Sequence, residues 1–432
     1  MKRLLLWALL GAGVALADEA PAVEALPEDE GSQGYTPDEE KAHEVLRATG
    51  YLDVGFAKAT GNGSSFLDGD LRAPLDYGND AFAPAVNSRG EVASTDTQGR
   101  FTNGFLPRSV GIGARPSFLL NTFSADVRVQ PRSLPVFFFA RVQVMPRLLP
   151  TGDLSRVELQ QAFGRLSPFK AHELALFVGR FDSVFGIEYL ENEANLRTGI
   201  TPSLLARYTT GHGLGVKALY RVHVPALWSA FSVNAAATNN GTRIEALVPV
   251  SASLQGAVVG SARLGYELNL QRVQVKAGVS GLYGPRNDVR SSSARQLAIA
   301  GDLRVSAFGV SLAGELLRLI DEPGQGAPKV TGVTTGELAS GFDVTGGWVR
   351  LGYTLPLTTP TLTSATLYGR YDRRHARFQG FTPLATDRFT VGARVDLWEV
   401  FALKAEVLLN RELAGAPNVD NDVFTSSAVF TW

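Results

Sequence analysis

The sequence predicts an all-β protein: a transmembrane antiparallel β-barrel of about sixteen strands (range roughly 14–18), with short periplasmic turns, long extracellular loops and a short N-terminal helix. Three observations carry this. Apolar and polar residues alternate strictly over stretches of about ten residues, the length that crosses a bilayer when tilted. The links between stretches are alternately short and long. The last residues, "DVFTSSAVFTW", keep the alternation through Trp432, as a strand must when it closes a sheet that can leave no edge in lipid.

The opening residues set the compartment. "MKRLLLWALLGAGVALA" has Lys2 and Arg3, an apolar run from Leu4 to Leu16, and Ala15-Leu16-Ala17. This reads as a signal peptide over 1–17, cut after Ala17. The run is too short to span about 30 Å of hydrocarbon as a helix. Residues 18–49 read as a periplasmic segment, and 50–432 as the barrel. Within that segment, "YTPDEEKAHEVLRATG" offers Thr36 as N-cap, Pro37 at the first helical position, Glu39 to complete a capping box and Gly50 as a stop. A helix is expected from 37 to about 48.

Composition permits a barrel without demanding one. The 432 residues are 45% hydrophobic, carry a formal charge of −1 and include no cysteine. A mean hydropathy of +0.03 suits strands that alternate. No second run of 18 apolar residues predicts a membrane helix, and the charge balance gives no sign of a nucleic-acid partner.

Periodicity decides. In "QRVQVKAGVSGLY", residues 271–283, Val273, Val275, Ala277 and Val279 share one face, with Arg272, Gln274, Lys276 and Ser280 on the other. "DRFTVGARVDLW", "RVELQQAF", "GVKALYRVHV", "ARLGYELN", "ATLYGRYDR" and "FALKAEVLLN" repeat the pattern. Short links fall at 130–134, 166–171, 224–227, 269–271, 306–307, 356–363 and 398–399. Long ones fall near 60–115, 146–154, 183–211, 239–253, 284–294, 320–345, 374–386 and 411–421. The 60–115 stretch is long enough to cap or plug the barrel. The last strand should close on the first near "GYLDVGFAKA", placing Phe424 and Phe430 toward lipid and Trp432 in the periplasmic aromatic girdle.

The alternation points Arg141, Arg156, Arg180, Lys217, Arg263, Lys276, Arg304 and Arg394 into the lumen as pore wall. In all, about fourteen basic residues face inward against about eight acidic ones, and rings of Arg and Lys favour anions. The alternative is that each cation pairs with an acidic neighbour on the next strand.

The loop "GRFDSVFGIEYLENEANLRTGITPSLLARYTTGHG", 179–213, is too long for a turn and too apolar to lie in water. Folded inward, it would bury Phe185, Ile187, Tyr189 and Leu190 and narrow the pore. Glu188, Glu191, Glu193, Arg197 and Arg207 would then form the constriction, facing wall residues such as Arg141 and Arg180. "SLLARY" after Thr201-Pro202 would start a short helix. The acidic run lacks calcium-loop spacing, so neither metal nor cofactor is expected.

"ELQQAF" on one strand, then "LFVGRFDSVFGIEYLEN" and "NLRTGI" across the next strand and loop, resembles bacterial outer-membrane porins of the OmpL-like and phosphate-selective group. Val184 stands where such porins often carry proline. The resemblance covers about 60 residues and implies a porin of sixteen or so strands, with a homotrimer as the assembly it suggests. The ending in Phe424, Phe430 and Trp432 is similar to the C-terminal signal that outer-membrane barrels present to the barrel assembly machinery.

Together these readings give a porin of the bacterial cell outer membrane, passing small hydrophilic solutes or ions by diffusion with weak anion preference. The alternative is a non-conducting structural or surface-binding barrel with a plugged pore. Catalysis is not expected: there is no Gly-x-Ser-x-Gly elbow or His-Glu-x-x-His helix. The expected partners are outer-membrane lipid and lipopolysaccharide, whose phosphates the cluster "RYDRRHARF", 370–378, could hold from outside.

Overall fold

The computed structural model describes residues 45–59, 92–95, 101–106, 117–131, 134–144, 157–169, 173–239, 258–270, 272–285, 294–322, 342–357, 359–378, 384–398, 400–413 and 422–432. The expected signal peptide, most of the expected helix and Arg156 lie outside them. The strands in chain order are β1 (Leu46–Ala59), β2 (Val92–Thr95), β3 (Phe101–Leu106), β4 (Ser117–Val129), β5 (Val136–Val144) and β6 (Val157–Leu166). Next come β7 (Glu173–Asp182), β8 (His212–Val224), β9 (Ser229–Thr238), β10 (Val259–Leu270), β11 (Val273–Pro285) and β12 (Arg295–Ala307). The chain continues with β13 (Val310–Asp321), β14 (Phe342–Pro356), β15 (Leu362–Phe378), β16 (Leu384–Leu397), β17 (Phe401–Leu413) and β18 (Val423–Thr431).

β1 and β4 through β18 close into one antiparallel barrel of sixteen strands, each paired with its sequence neighbour; β2 and β3 form a separate hairpin. β18 completes the ring on β1, from Tyr51 opposite Thr431 to Ala59 opposite Val423. The barrel begins at Leu46 rather than residue 50, so 46–48, expected at the end of the helix, are strand. The helix fails there because β4 supplies a partner: Leu46 to Ala48 pair with Val129 to Val127.

Burial follows the alternation with its sense inverted relative to a soluble protein. Leu264, Val279, Leu316 and Leu367 are exposed to the bilayer side, whereas Lys276, Arg388 and Asp372 are fully buried in the lumen. With no water in the hydrocarbon, only a closed sheet satisfies every backbone group. The barrel is therefore built to sit in a lipid bilayer.

Of three register shifts among the described barrel strands, in β1–β4, β5–β6 and β15–β16, the first two redirect side chains near the loop. Arg141 pairs with Gln161 and Val142 with Leu159, so Gln160 is an extra residue in β6. Past this bulge the inward parity shifts, and Gln161 and Phe163 both turn inward and are buried. A second bulge between Asp53 and Val54 leaves Asn121 over, and its amide donates to Asp53 at 3.1 Å.

The periplasmic turns fall where the short links were expected. At the other rim one link is shorter than expected: β15 runs to Phe378 and β16 resumes at Leu384. "RYDRRHARF" is therefore strand, and its residues alternate between faces. Arg370, Asp372 and Arg374 are buried inside, and Arg373 and Arg377 are exposed outside.

Candidate functional site: the loop inside the barrel

The 183–211 loop leaves β7 and returns to β8 through a clasp. Asp182 lies directly opposite His212, their side chains 3.0 Å apart, and the Ser183 amide donates to the Gly211 carbonyl at 2.9 Å. Between these points the chain turns into the lumen, and nearly all of its residues are buried. Phe185, Ile187, Tyr189, Leu190, Leu205 and Tyr208 form one apolar cluster with inward residues of β10–β14, among them Val259, Leu282, Leu317, Leu319 and Trp348. An open aqueous channel would make those wall positions polar. Their apolar character is the wall's half of a core.

The same loop reaches the opposite wall, where Ala194 packs with Tyr51, Ala402 and Val429. Two glycines permit the close approaches. Gly186 has φ +78, and a Cβ there would press on Thr209 and on Glu315 Oε1. A Cβ at Gly199 would collide with the Tyr368 hydroxyl.

Charge and hydrogen bonding then fix the loop residue by residue. Glu191 takes a two-pronged ion pair from Arg350, Nη1 at 2.6 Å and Nη2 at 2.8 Å, with Arg304 Nη2 at 3.7 Å. Burial works against its charge, but the Arg350 guanidinium prevails and holds the carboxyl down at about 2. Glu193 accepts from Arg141 Nη1 at 2.7 Å and from the Tyr51 hydroxyl at 2.7 Å. Among the described residues Glu188 meets no cation this closely. It accepts from the Ser203 amide and hydroxyl, and burial pushes its carboxyl above the ordinary range.

The wall cations grip the loop mainly through backbone carbonyls. Lys404 Nζ donates to the carbonyls of Ala194, Arg197 and Gly199. Arg370 donates to Thr201 at 2.7 Å and Pro202 at 2.8 Å, and Arg388 also donates to Pro202. Arg394 reaches the Arg197 carbonyl at 3.1 Å, and Arg304 the Ile187 carbonyl at 3.0 Å. Glu406 serves the opposite polarity, accepting from the amides of Ile200 at 2.8 Å and Thr201 at 2.9 Å.

The residues singled out from sequence divide accordingly. Glu188, Glu191, Glu193 and Arg197 come together inside the barrel, and Glu193 meets Arg141. Arg180 donates through its Nε to the Gln160 carbonyl at 2.8 Å, on the strand beside its own. Arg207 lies in the one-turn helix Ala206–Thr209 that follows Pro202.

Of the wall cations, Arg263 pairs with Asp302 at 2.8 Å, Lys276 with Glu267 at 3.8 Å and Arg394 with Asp396 at 2.8 Å. Lys217 sits over the rings of Phe177 and Phe181. Pairing with acidic neighbours thus describes the wall better than a free basic excess. Sequence reasoning missed the roles of Tyr51, Arg350, Arg370 and Lys404 as anchors, and missed a run of inward phenylalanines on β5–β7. "VFFFARV" held that signal, since Phe137 and Phe139 share the parity of Arg141. Among the described residues no group of three or more His, Asp or Glu side chains is placed to hold a metal ion.

No protein-family model matches the chain, and no curated protein matches it. Solved structures do. A high-pH structure of OprB from Pseudomonas putida is similar over 96% of this chain and 100% of its own, with TM-score 0.51 and 9% identity. The anion-selective porin from Comamonas acidovorans covers 90% of this chain and 99% of its own, with TM-score 0.49 and 9% identity. The outer-membrane channel DcaP of Acinetobacter baumannii covers 90% and 97%, with TM-score 0.49 and 10% identity. At such identities the likeness to OprB speaks to the fold alone: a closed barrel of the kind outer-membrane porins have.

Proposed function

We propose that the chain is a diffusion channel for small hydrophilic solutes or ions, its passage narrowed by the 183–211 loop. One observation carries the reading. The loop is strung across the lumen between Tyr51 and the β10–β14 wall, and cations from β12 to β17 hold its carbonyls inside a closed barrel. A solute must pass beside this strut, so the loop's width and charge set the selection. The preference for anions is weak, because most wall cations are already committed to carboxylates or to the loop. The Gly179-Arg180-Phe181 strand end and the loop after it are the grounds for grouping the chain with OmpL-like and phosphate-selective porins. Phe424, Phe430 and Trp432, all exposed on the outer face, fit an assembly signal. Arg373 and Arg377 on the outer face of β15 fit contact with lipopolysaccharide, and the apolar outer wall leaves room for a homotrimer.

The test is single-channel conductance of the refolded protein in a planar bilayer, with the reversal potential taken in a salt gradient. Discrete steps with a small shift toward the anion side are expected. Steps with cation preference sink the charge assignment and keep the pore. A second reading, a barrel closed to solutes, is favoured by the loop's contacts with both walls. Insertion without conductance would establish it in place of the first.

A further inference from the structure

The lumen wall on the periplasmic side of the loop is unusual for a water-filled channel. Phe137 and Phe139 on β5, Phe163 on β6 and Phe177 on β7 all point inward, each less than 9% exposed. Their rings touch in sequence: Phe139 lies 5.4 Å from Phe163, and Phe163 5.5 Å from Phe177.

Cations alternate with these rings across the strands. In one row Phe137 stands opposite Arg165, Arg165 opposite Phe177 and Phe177 opposite Lys217. In the adjacent row Arg47 stands opposite Arg128, and Arg128 opposite Phe139. The Arg128 guanidinium lies 5.8 Å from the Phe139 centroid, and that of Arg165 5.6 Å from Phe177. Arg47, Arg128 and Arg165 are half-buried, so the mouth presents guanidinium groups seated on a phenyl layer.

The nearby carboxylates of the described residues are engaged. Asp126 is taken by Arg141 at 2.6 Å, Glu193 by Arg141 and Tyr51, and Glu173 by His223 at 2.7 Å. Among the described residues, neither Arg47 nor Arg128 has a carboxylate partner, although they face each other directly across two strands. Like charges so placed repel unless an anion bridges them. Arg128 Nε is also buried with no hydrogen-bond partner among the described residues.

We propose that this cation-and-phenyl wall is a binding site at the periplasmic mouth for carboxylates that carry a flat apolar or aromatic body. The carboxylate would bridge Arg47 and Arg128, matching the planar fork of a guanidinium. The flat body would lie along the guanidinium faces and the edge of the phenyl layer, where stacking and cation–π attraction act in a locally dry setting. The inference deepens the pore reading by naming a solute class, and it rests on that reading only for transport, not for binding.

The test is calorimetric titration of the refolded full-length barrel with sodium benzoate, sodium acetate and benzamide. Benzoate is expected to bind at least about tenfold more tightly than either of the others, since only it supplies both charge and ring. Arg128→Gln and Arg47→Gln should each weaken benzoate binding by about tenfold. Both sites are half-exposed, and a heat-modifiable gel shift checks that the variants fold. Phe139→Leu should weaken benzoate more than acetate; if that variant fails to fold, the arginine variants decide. Equal binding of benzoate and acetate, or benzoate binding untouched by either arginine variant, overturns the site. A barrel that conducts without preferring benzoate sinks the site and leaves the pore. One that binds benzoate but never conducts sinks the pore and leaves the site.

Discussion

Gly50 and Trp432 exchange two backbone hydrogen bonds, each 3.1 Å, across the seam where the last strand meets the first. The indole stacks on Phe123 at 5.6 Å and on Phe430 at 6.0 Å. Any Cβ at Gly50 would stand 2.5 Å from the indole ring. Gly50→Ala should therefore disturb closure itself, costing about 1–3 kcal/mol by overpacking. Trp432→Ala keeps the backbone pair and loses only stacking and burial. Refolding yield, followed by heat-modifiable migration, should fall more for Gly50→Ala than for Trp432→Ala. The reverse order would mean that the ring, rather than the backbone pair, closes the barrel.

Trp228, Phe308 and Trp398 adopt left-handed backbone, with φ of 52°, 52° and 50°. All three sit at periplasmic turns and are exposed. A non-glycine residue there costs roughly 1–2 kcal/mol, so something offsets the strain. An aromatic ring at the headgroup level does so. Trp398→Gly should relieve the backbone and lose the anchor. In detergent micelles its thermal stability should hold or rise, and in lipid bilayers it should fall. The same sign in both media would show that the ring does not act through the bilayer.

Much of this was legible in the sequence, because barrel strands advertise themselves by parity. Val273, Val275 and Val279 against Lys276 and Ser280 fix both a strand and its faces. The infolded loop was legible too, since Phe185, Ile187 and Leu205 had nowhere else to hide. What parity cannot carry is a bulge: the extra residue at Gln160 turned Phe163 inward with no mark in composition. Nor can it carry pairing between distant strands. Glu191 meets Arg350, 159 residues away, because closure of the ring brings β14 across from the loop. The second half of "RYDRRHARF", from Arg374 on, looked like a loop through its charge, yet Arg374 faces a lumen that supplies a partner, the Tyr208 hydroxyl at 3.0 Å.

Lys404 is the most concentrated of the loop's anchors, one ammonium serving three carbonyls. Lys404→Met keeps the length of the side chain and strands the carbonyls of Ala194, Arg197 and Gly199. Hydrogen bonds from a charged donor contribute about 1.5–3 kcal/mol, and the loop should loosen at 194–199 while the barrel stays folded. Limited proteolysis should cut within the loop in the variant only, and single-channel conductance should rise. Unchanged conductance with a cut loop would place the passage elsewhere in the lumen.

Acid should tighten the loop before it frees it. The Glu188 carboxyl is raised by burial, so the docked loop favours its protonated form. That contribution is fully present below the ordinary carboxylate value of about 4.5 and is lost as pH rises through the raised value. Glu191 has the opposite sign. Held at about 2 by Arg350, it stabilises docking above its ordinary value and gives way only as pH falls toward 2. Between neutrality and about pH 4.5 the two do not conflict: Glu188 gains and Glu191 stays ionised. Conductance of the wild-type channel should hold or fall over that interval, with fewer loop fluctuations in the open-channel noise. Glu188→Gln, which fixes the uncharged form, should show the quieter behaviour already at pH 7. Glu191→Gln leaves Arg350 buried beside a neutral amide, a loss of about 3–5 kcal/mol for a broken buried pair, and should make the channel noisier at every pH. A wild-type channel that opens wide on mild acidification would mean that the loop is held by charge alone and that Glu188 is ionised in place.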